Sequence, residues 1–271
     1  MNEAKTYRRV LTIAGSDSGG GAGIQADLKT IAANGCYGMS VITALTAQNT
    51  LGVTGIHAVP VEFVAAQLEA VLSDIGADAV KIGMLFSPEL IRTVADGLKQ
   101  FAPPAIVLDP VMVAQSGDKL LQDEAIDALR NHLIPLAHLI TPNLPEASVL
   151  LDREITTAAD IDQAARDLAG LGCANVLIKG GHLEGGDSDD CLFLAGERRM
   201  VRLPGERIAT RNNHGTGCTL SSAIASFIAR GESIENAVRL AKEYITGAIR
   251  AGAAYTIGHG HGPVHHFFRF F

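Results

Sequence analysis

The sequence of 271 residues contains few cysteines, and none of the four belongs to a Cys-x-x-Cys pair. This spacing does not suggest a zinc site, and free thiols are typical of a reducing compartment. The chain also lacks any run of about 18 uncharged apolar residues, so no segment is expected to cross a bilayer. Its first residues lack the apolar stretch of a signal peptide. These absences together predict a cytoplasmic protein with no membrane partner.

Positive charge is scarce as well. The 22 lysines and arginines are outnumbered by 29 aspartates and glutamates, which gives a net charge of −7. Because the sequence has no basic stripe, it does not predict a nucleic-acid partner. An anionic substrate would instead need local positive potential from helix N-termini, a metal ion or single basic side chains.

The composition is that of a folded chain with a large core, since 47% of the residues are hydrophobic and 19% are charged. Strand and helix patterns alternate, which predicts an α/β fold with a largely parallel central sheet covered by helices on both faces. No repeat or linker divides residues 1–271, so they are predicted to form a single domain; the nearest candidate linker is the acidic loop 184–190. The predicted strands are 10–14, 37–45, 79–84, 105–108, 138–141 and 175–179, followed by a hairpin of 191–194 and 200–203. The predicted helices are 22–34, 63–75, one opened by Pro88, 123–133, 161–171, 218–230 and 234–250.

Ligands of such folds bind at the carboxyl ends of the parallel strands. Several residues suited to binding follow predicted strands or lie near their ends. We therefore expect them to meet at one edge of the sheet. They are Gly15, Gln48, Met84, Asp109, Asn143 and Lys179.

Glycines precede a cysteine at the start of a predicted helix, in the segment NHGTGCTL (213–220). Glycines at this point let backbone N–H groups converge, and with the helix dipole they form an anion-binding site. A cysteine in the first turn, here Cys218, is expected to have a lowered pKa. The alternative, a glycine-rich loop beside a small buried cysteine, fits this segment equally well.

A second glycine-rich loop, AGSDSGGGAGIQAD (14–27), also lies between a predicted strand and a helix. It lacks the Lys-Ser/Thr end of a P-loop and the acidic residue about 20 positions further on that marks a dinucleotide site. The density of glycines favours a ligand-binding loop over a simple tight turn.

Two carboxylates, Asp109 and Glu146, follow separate strands. Mg²⁺ in phosphoryl transfer is held by one or two carboxylates together with phosphate oxygens. Taken singly, Asp109 has the alternative role of a helix cap, and Glu146 that of a first-turn acid stabilised by the helix dipole.

Eight segments in order along the chain resemble hydroxymethylpyrimidine/phosphomethylpyrimidine kinases of thiamine biosynthesis, within the ribokinase superfamily. They span the chain almost from end to end, although each alone is a weak signal. The segments are AGSDSGGGAGIQADLKT (14–30), SVITALTAQNT (40–50), KIGML (81–85), LDPVM (108–112), LITPNLPEA (139–147), IKGGH (178–182), HGTGCTLS (214–221) and GPVHHF (262–267).

The resemblance implies a ribokinase-like sheet of about eight strands, a homodimer, and two successive ATP-dependent phosphorylations. The first acts on the hydroxymethylpyrimidine alcohol and the second on its monophosphate. The resemblance further implies an anion hole and catalytic position at Gly215, Thr216, Gly217 and Cys218. It places Mg²⁺ near Asp109 and Glu146, ATP near Lys179 and Asn143, and the pyrimidine against Gly15, Asp27, Gln48, Met84 and Val111.

The chain departs from the family pattern at three positions. Gly19 replaces a frequent Ser, Asn213 a frequent Thr, and His259 a frequent Lys. A histidine is mostly neutral at pH 7, so His259 puts any phosphate contact at that position in doubt. Together with the three following histidines it could bind metal adventitiously, but no acidic or cysteine partner accompanies them. Those histidines are His261, His265 and His266.

Two alternatives differ in function. A pyridoxal kinase shares the fold, but the segment AQN (47–49) favours a pyrimidine, because the Gln48 carboxamide can pair with an aminopyrimidine edge. A non-catalytic sensor of pyrimidines or nucleotides is disfavoured by the intact Asp109, Glu146 and Cys218. Fold alone does not choose among these.

Overall fold

The structure is a computed structural model that describes residues 5–112, 124–180 and 189–271. Within them, one sheet has the strand order β3-β2-β1-β4-β5-β6-β7-β8-β9. Pairing is parallel from β2 through β7 and antiparallel at both edges. The strands are β1 Arg9–Asp17, β2 Tyr37–Asn49, β3 Gly52–Ala58, β4 Ala79–Ile82, β5 Ile106–Leu108, β6 Leu139–Ile140, β7 Asn175–Ile178, β8 Asp190–Leu194 and β9 Arg199–Leu203.

Helices cover both faces of the sheet, as the alternating pattern predicts. One apolar cluster lies between the sheet and α2 to α6, and a second lies between the sheet and α1, α7 and α8. Residues 10–14 of strand β1 are mostly apolar because both faces of the strand are covered: Leu11 and Ile13 belong to the first cluster and Val10 to the second. The helices are α1 Gly23–Ala33, α2 Val61–Asp74, α3 Pro88–Phe101, α4 Glu124–Ala128, α5 Leu144–Leu151, α6 Ala158–Ala169, α7 Thr216–Ala229 and α8 Ile234–Gly252.

Local capping chemistry sets two helix starts. Ser87 accepts a hydrogen bond from the Leu90 N–H and Pro88 opens α3, as predicted. No periodic pattern indicates α5, which has only 8 residues, but Asn143 and Glu146 form a complete capping box at its start. This box fixes both side chains just after β6.

The predicted end of β2 is wrong. The strand continues past Leu45 to Asn49 and forms an antiparallel hairpin with β3, with a register shift between Ala47 and Gln48. Gln48 therefore lies within a strand and not beyond one. Residues 46–49 are polar or exposed, so they show no alternating apolar pattern from which a strand could be predicted. This part of β2 is held by hydrogen bonds to β3 and not by burial of an apolar face.

The predicted acidic loop 184–190 lies mostly outside the described residues. Its last member, Asp190, is instead the first residue of β8 and is buried. The Asp190 carboxylate accepts hydrogen bonds from the Gly180 N–H and from Lys242, at 3.0 and 2.5 Å. Among the described helices, none is long and apolar enough to cross a membrane.

The segment that follows α8 supports the start of α7. The His214 N–H donates to the Gly262 carbonyl at 3.0 Å, and the His266 ring lies 3.1 Å from the Thr219 hydroxyl. The Tyr244 hydroxyl donates to the His266 carbonyl at 2.6 Å. This segment thereby holds the glycine-rich turn before α7 in a fixed position.

Candidate active site

A cavity of about 330 Å³ opens at the carboxyl ends of the central strands, against the N-terminus of α7. It brings together residues that are far apart in the chain, as expected for this fold class. Of the thirteen predicted site residues, twelve line it: Gly15, Gln48, Met84, Asp109, Val111, Asn143, Glu146, Lys179, Gly215, Thr216, Gly217 and Cys218.

Asp27 is the exception, and its predicted place in the pocket wall is wrong. Its side chain is fully buried and both carboxylate oxygens lie 2.9 Å from the ammonium of Lys81, which itself forms part of the cavity. The hydroxyls of Thr12 and Ser222 donate to the same carboxylate at 2.6 and 2.7 Å. A buried carboxylate needs such partners, so Asp27 neutralises Lys81 from behind the site.

The glycine-rich turn before α7 is shaped by backbone packing. Gly215 has φ of 78°, and a Cβ there would lie 1.8 Å from the Gly21 carbonyl oxygen. The two glycine-rich loops therefore touch, and Gly215 cannot carry a side chain at that point. A Cβ on Gly217 would lie 3.5 Å from Asp109 and 3.6 Å from Lys179. The start of α7, with amides that lack partners within the helix, thus lies beside the charged cluster.

Cys218 lies in the first turn of α7, but its expected lowered pKa is wrong. Burial raises the pKa of the thiol to about 11, while the positive charge of Lys81 opposes the rise and the carboxylates of Asp27 and Asp109 add to it. With a pKa of about 11, the thiol is protonated at neutral pH.

Asp109, Glu146 and Lys179 form a charged cluster. The Lys179 ammonium lies 2.9 Å from Asp109 and 3.8 Å from Glu146. Burial works to raise the pKa of Asp109, but the charges of Lys179 and Lys81 outweigh it and hold the pKa below its usual range. Burial raises the pKa of Glu146 to about 7, with Lys179 opposing and Asp109 reinforcing the rise. Lys179 therefore only partly compensates the negative charge of an ionised Glu146.

The same two carboxylates fit a hard divalent cation. Asp109 and Glu146 converge on one cationic group, and oxygen donors of this kind are those that Mg²⁺ takes. An added cation would favour the ionised form of Glu146, which burial disfavours. The chemistry of the donor set is thus compatible with Mg²⁺.

Gln48 also lines the cavity and lies beside His214, which contacts the buried Asp17 at 2.9 Å. Gly15 stands against Met84, since a Cβ at Gly15 would lie 2.7 Å from the Met84 methyl. Asp17 and His214 are absent from the predicted site. Each lies inside a glycine-rich segment that the sequence predicts to be ligand-binding. The sequence therefore indicates the segments but not these two residues.

The four C-terminal histidines do not gather into a site. His259 is exposed and does not line the cavity, His261 contacts Asn213, and His265 packs against Tyr255. His266 is buried, and burial lowers its pKa to about 4. Over residues 5–112, 124–180 and 189–271, no group of three or more potential ligands that could hold a metal ion is present.

Comparison with known proteins agrees with this geometry. A model of the phosphomethylpyrimidine kinase family matches residues 17–265. The chain is 54% identical over 260 residues to the hydroxymethylpyrimidine/phosphomethylpyrimidine kinase of Rhizobium meliloti (strain 1021), covering 96% of this chain and 97% of that protein. It is 54% identical over 257 residues to the thiamine biosynthesis bifunctional protein ThiED of Geobacter sulfurreducens, covering 95% of this chain and 52% of that protein. The chain thus spans about half the length of the bifunctional relative.

Solved structures give the same fold. A pyridoxal kinase of Bacillus subtilis in complex with ADP has a TM-score of 0.90 and 37% identity, covering 98% of this chain and 100% of that chain. A phosphomethylpyrimidine kinase of Clostridium difficile 630 has a TM-score of 0.79 and 47% identity, covering 89% of this chain and 99% of that chain. The predicted α/β, ribokinase-like fold is confirmed.

The raised pKa of Cys218 is testable by alkylation with iodoacetamide, followed by mass spectrometry of the peptide that contains the residue. With a pKa of about 11, on the order of 10⁻⁴ of the thiol is ionised at pH 7. We expect the alkylation rate to rise about tenfold per pH unit from pH 7 to 10. The peptides that contain the buried cysteines Cys36, Cys173 and Cys191 serve as controls in the same spectra. A rate that levels off near pH 7 would restore the lowered pKa.

Proposed function

The chain belongs to the phosphomethylpyrimidine kinase family, and we propose that it phosphorylates 4-amino-5-hydroxymethyl-2-methylpyrimidine and then the resulting monophosphate. ATP is the donor and the diphosphate is the final product, as in thiamine biosynthesis. Its relatives of similar length are named for both activities. The enzyme is accordingly a phosphotransferase with a small-molecule pyrimidine substrate.

One observation carries this proposal. One cavity is lined by the Gln48 carboxamide, by Cys218, and by the N-terminus of α7 beside a carboxylate and ammonium cluster. The carboxamide suits an aminopyrimidine edge, and the N-terminus of α7 with the charged cluster suits a phosphoryl group in transfer.

The residues around the N-terminus of α7 bind the phosphoryl groups and the metal ion. The backbone of Gly215, Thr216 and Gly217 holds the transferring group, because amides in the first turn of a helix point at an anion. Lys179 and Asn143 contact the ATP phosphates. Asp109 and Glu146 would hold Mg²⁺, which would neutralise charge on the phosphates.

Cys218 acts on the acceptor. Its sulfur takes the hydroxyl proton of the alcohol while the new O–P bond forms and the bond to the leaving ADP breaks. Because the thiol has a pKa of about 11, only its small ionised fraction can accept this proton at neutral pH. Lys81 supplies the positive charge that favours this fraction. The monophosphate acceptor is already anionic and needs less of this help.

The remaining walls hold the pyrimidine. Gly15, Met84 and Val111 give an apolar, close-fitting surface, and Gln48 reads the edge of the ring. Asp27 contributes indirectly, through Lys81.

Pyridoxal kinase activity is the second candidate. The pyridoxal kinase of Bacillus subtilis has the higher TM-score, 0.90 against 0.79, but the lower identity, 37% against 47%, when compared with the Clostridium difficile enzyme. Backbone shape is common to both activities, so the side chains decide, and these favour the pyrimidine.

We also propose that residues 1–271 act as one domain, that the enzyme works in the cytoplasm, and that it forms a homodimer. The hairpin of β2 and β3 supports the last point. It lies at the sheet edge and leaves Leu45, Leu51 and Ile56 largely exposed, between 46% and 67%. Exposed apolar side chains on a strand edge suit association with a second copy.

ADP release tests the function directly. The enzyme is offered the pyrimidine alcohol, its monophosphate and pyridoxal in parallel, with ATP in each case. We expect both pyrimidines to be turned over with higher kcat/KM than pyridoxal, because Gln48 pairs with the aminopyrimidine edge. A higher kcat/KM for pyridoxal would contradict the proposal and favour the second candidate.

Removing the thiol tests the role of Cys218. We expect Cys218→Ala to lower kcat with the alcohol by about tenfold or more and kcat with the monophosphate by much less, because only the alcohol must lose a proton. The small ionised fraction of the thiol at pH 7 keeps the loss below that of a general base with a pKa near 7. Cys218→Ser serves as the control that keeps a polar group of similar size. Equal losses with both acceptors would show that the thiol only positions the substrate.

Titration with Mg²⁺ tests the two carboxylates. We expect Asp109→Ala and Glu146→Ala each to raise the Mg²⁺ concentration at half-maximal rate by about tenfold or more, because each removes an oxygen donor. Circular dichroism checks that the fold is retained, and Asp160→Ala, at an exposed helix cap, is a matched control. Unchanged Mg²⁺ dependence in both variants would rule out the assignment.

A further inference from the structure

The carboxamide of Gln48 lies between two polar side chains that also line the cavity. Its Oε1 is 2.9 Å from the Thr46 hydroxyl oxygen, and its Nε2 is 3.4 Å from Nε2 of His214. A half-turn about the last side-chain bond exchanges the oxygen and nitrogen of the amide without moving other atoms. The neighbours therefore decide which orientation is chemically satisfied.

The Thr46 hydroxyl determines which group of the Gln48 amide lies on its side. Its hydroxyl has a single hydrogen, and the Ser16 carbonyl oxygen lies 2.9 Å away. A carbonyl oxygen can only accept, so the Thr46 hydrogen is used there. Thr46 can then only accept a hydrogen bond from Gln48, which requires the NH₂ group of the amide on this side.

His214 independently determines which group of the Gln48 amide lies on the other side. Its Nε2 lies 2.9 Å from Oδ2 of Asp17. Burial works to raise the pKa of Asp17, but hydrogen bonds from His214 and from the N–H groups of Ala22 and Gly19 outweigh it and lower the pKa. An ionised carboxylate only accepts, so His214 Nε2 carries a hydrogen. A ring nitrogen that carries a hydrogen has no free lone pair, so it cannot accept from an amide N–H. Gln48 must therefore turn its oxygen toward His214, where it can share the hydrogen directed at Asp17.

From these two constraints we infer that Gln48 is locked with its NH₂ group on Thr46 and its oxygen on His214, and that Thr46 and the Asp17–His214 pair are positioning residues that determine substrate specificity. The inference rests on the proposed function. It concerns which pyrimidine edge the enzyme accepts: a 4-amino group beside a ring nitrogen, and not a 4-oxo group beside a ring N–H.

The lock also orients the substrate. The amide oxygen accepts from the 4-amino group, so that group lies toward His214. The amide N–H donates to the ring nitrogen, which lies toward Thr46. A 4-oxo pyrimidine presents acceptor and donor in the reverse order and would require the amide to turn. If the amide turned, its NH₂ group would face the N–H of His214. Its oxygen would then face the Thr46 hydroxyl, whose only hydrogen is donated to the Ser16 carbonyl.

The test compares kcat/KM for the 4-amino alcohol and for its 4-oxo analogue. Wild-type enzyme should prefer the 4-amino compound by on the order of 10²-fold or more, since a mismatched analogue leaves buried polar groups unpaired. Thr46→Val removes the hydroxyl at nearly constant volume and should reduce this preference by about tenfold. Thr46→Ser keeps the hydroxyl and should retain the preference, and KM for ATP should not change in either variant.

His214 precedes the phosphoryl-binding turn, so its replacement affects chemistry as well. For His214→Phe, alone and combined with Thr46→Val, the two pyrimidines are therefore compared by calorimetric binding without ATP. The affinity ratio should fall in the single variant and further in the double variant. Gln48→Met should lose both the ratio and pyrimidine affinity.

An unchanged preference in Thr46→Val and in the double variant would overturn the inference while leaving the proposed function intact. Failure of wild-type enzyme to use the 4-amino alcohol would instead refute the proposed function, and the inference with it.

Discussion

The ion pair between Lys81 and Asp27 is the interaction on which the rest of the site depends. Both side chains are fully buried, with Lys81 in the central strand β4 and Asp27 in α1. The Asp27 carboxylate also binds Thr12 of β1 and Ser222 of α7, so one group joins β1, β4, α1 and α7. Loss of one partner from such a pair typically costs about 3–5 kcal/mol, because the other charge stays buried and unpaired. The position of α7 over the strand ends is therefore tied to this pair.

Burial also organises the charges above that pair. Asp109 and Glu146 are buried, and Lys179 and Cys218 are partly exposed beside them. The protonation of these groups therefore depends strongly on neighbouring charges. Lys179 keeps Asp109 ionised but compensates Glu146 only in part. Burial likewise favours the neutral, protonated form of the Cys218 thiol. A site of this kind gains negative charge only when a cation or a substrate brings compensation.

A single short segment connects the surroundings of Gln48 with the glycine-rich turn before α7. His214 contacts Asp17 and Gln48 with its side chain, while the next residue, Gly215, starts the phosphoryl-binding turn. The close contact of Gly215 with Gly21 fixes the same segment against the first glycine-rich loop. Under the proposed function, recognition of the pyrimidine and orientation of the phosphoryl group would therefore depend on one stretch of backbone, which the segment that contains Gly262 and His266 contacts.

The sequence by itself determined the fold class, because apolar runs alternate with amphipathic helices and glycine loops follow strands. It also located twelve of the thirteen predicted residues at the cavity, through motifs whose order along the chain is unmistakable. Only the tertiary structure placed Asp27 behind Lys81, brought Asp17 to His214, and extended β2 through Gln48. It also reversed the expected pKa of Cys218. These features depend on burial and on contacts between residues up to 197 positions apart, and local sequence carries no measure of either.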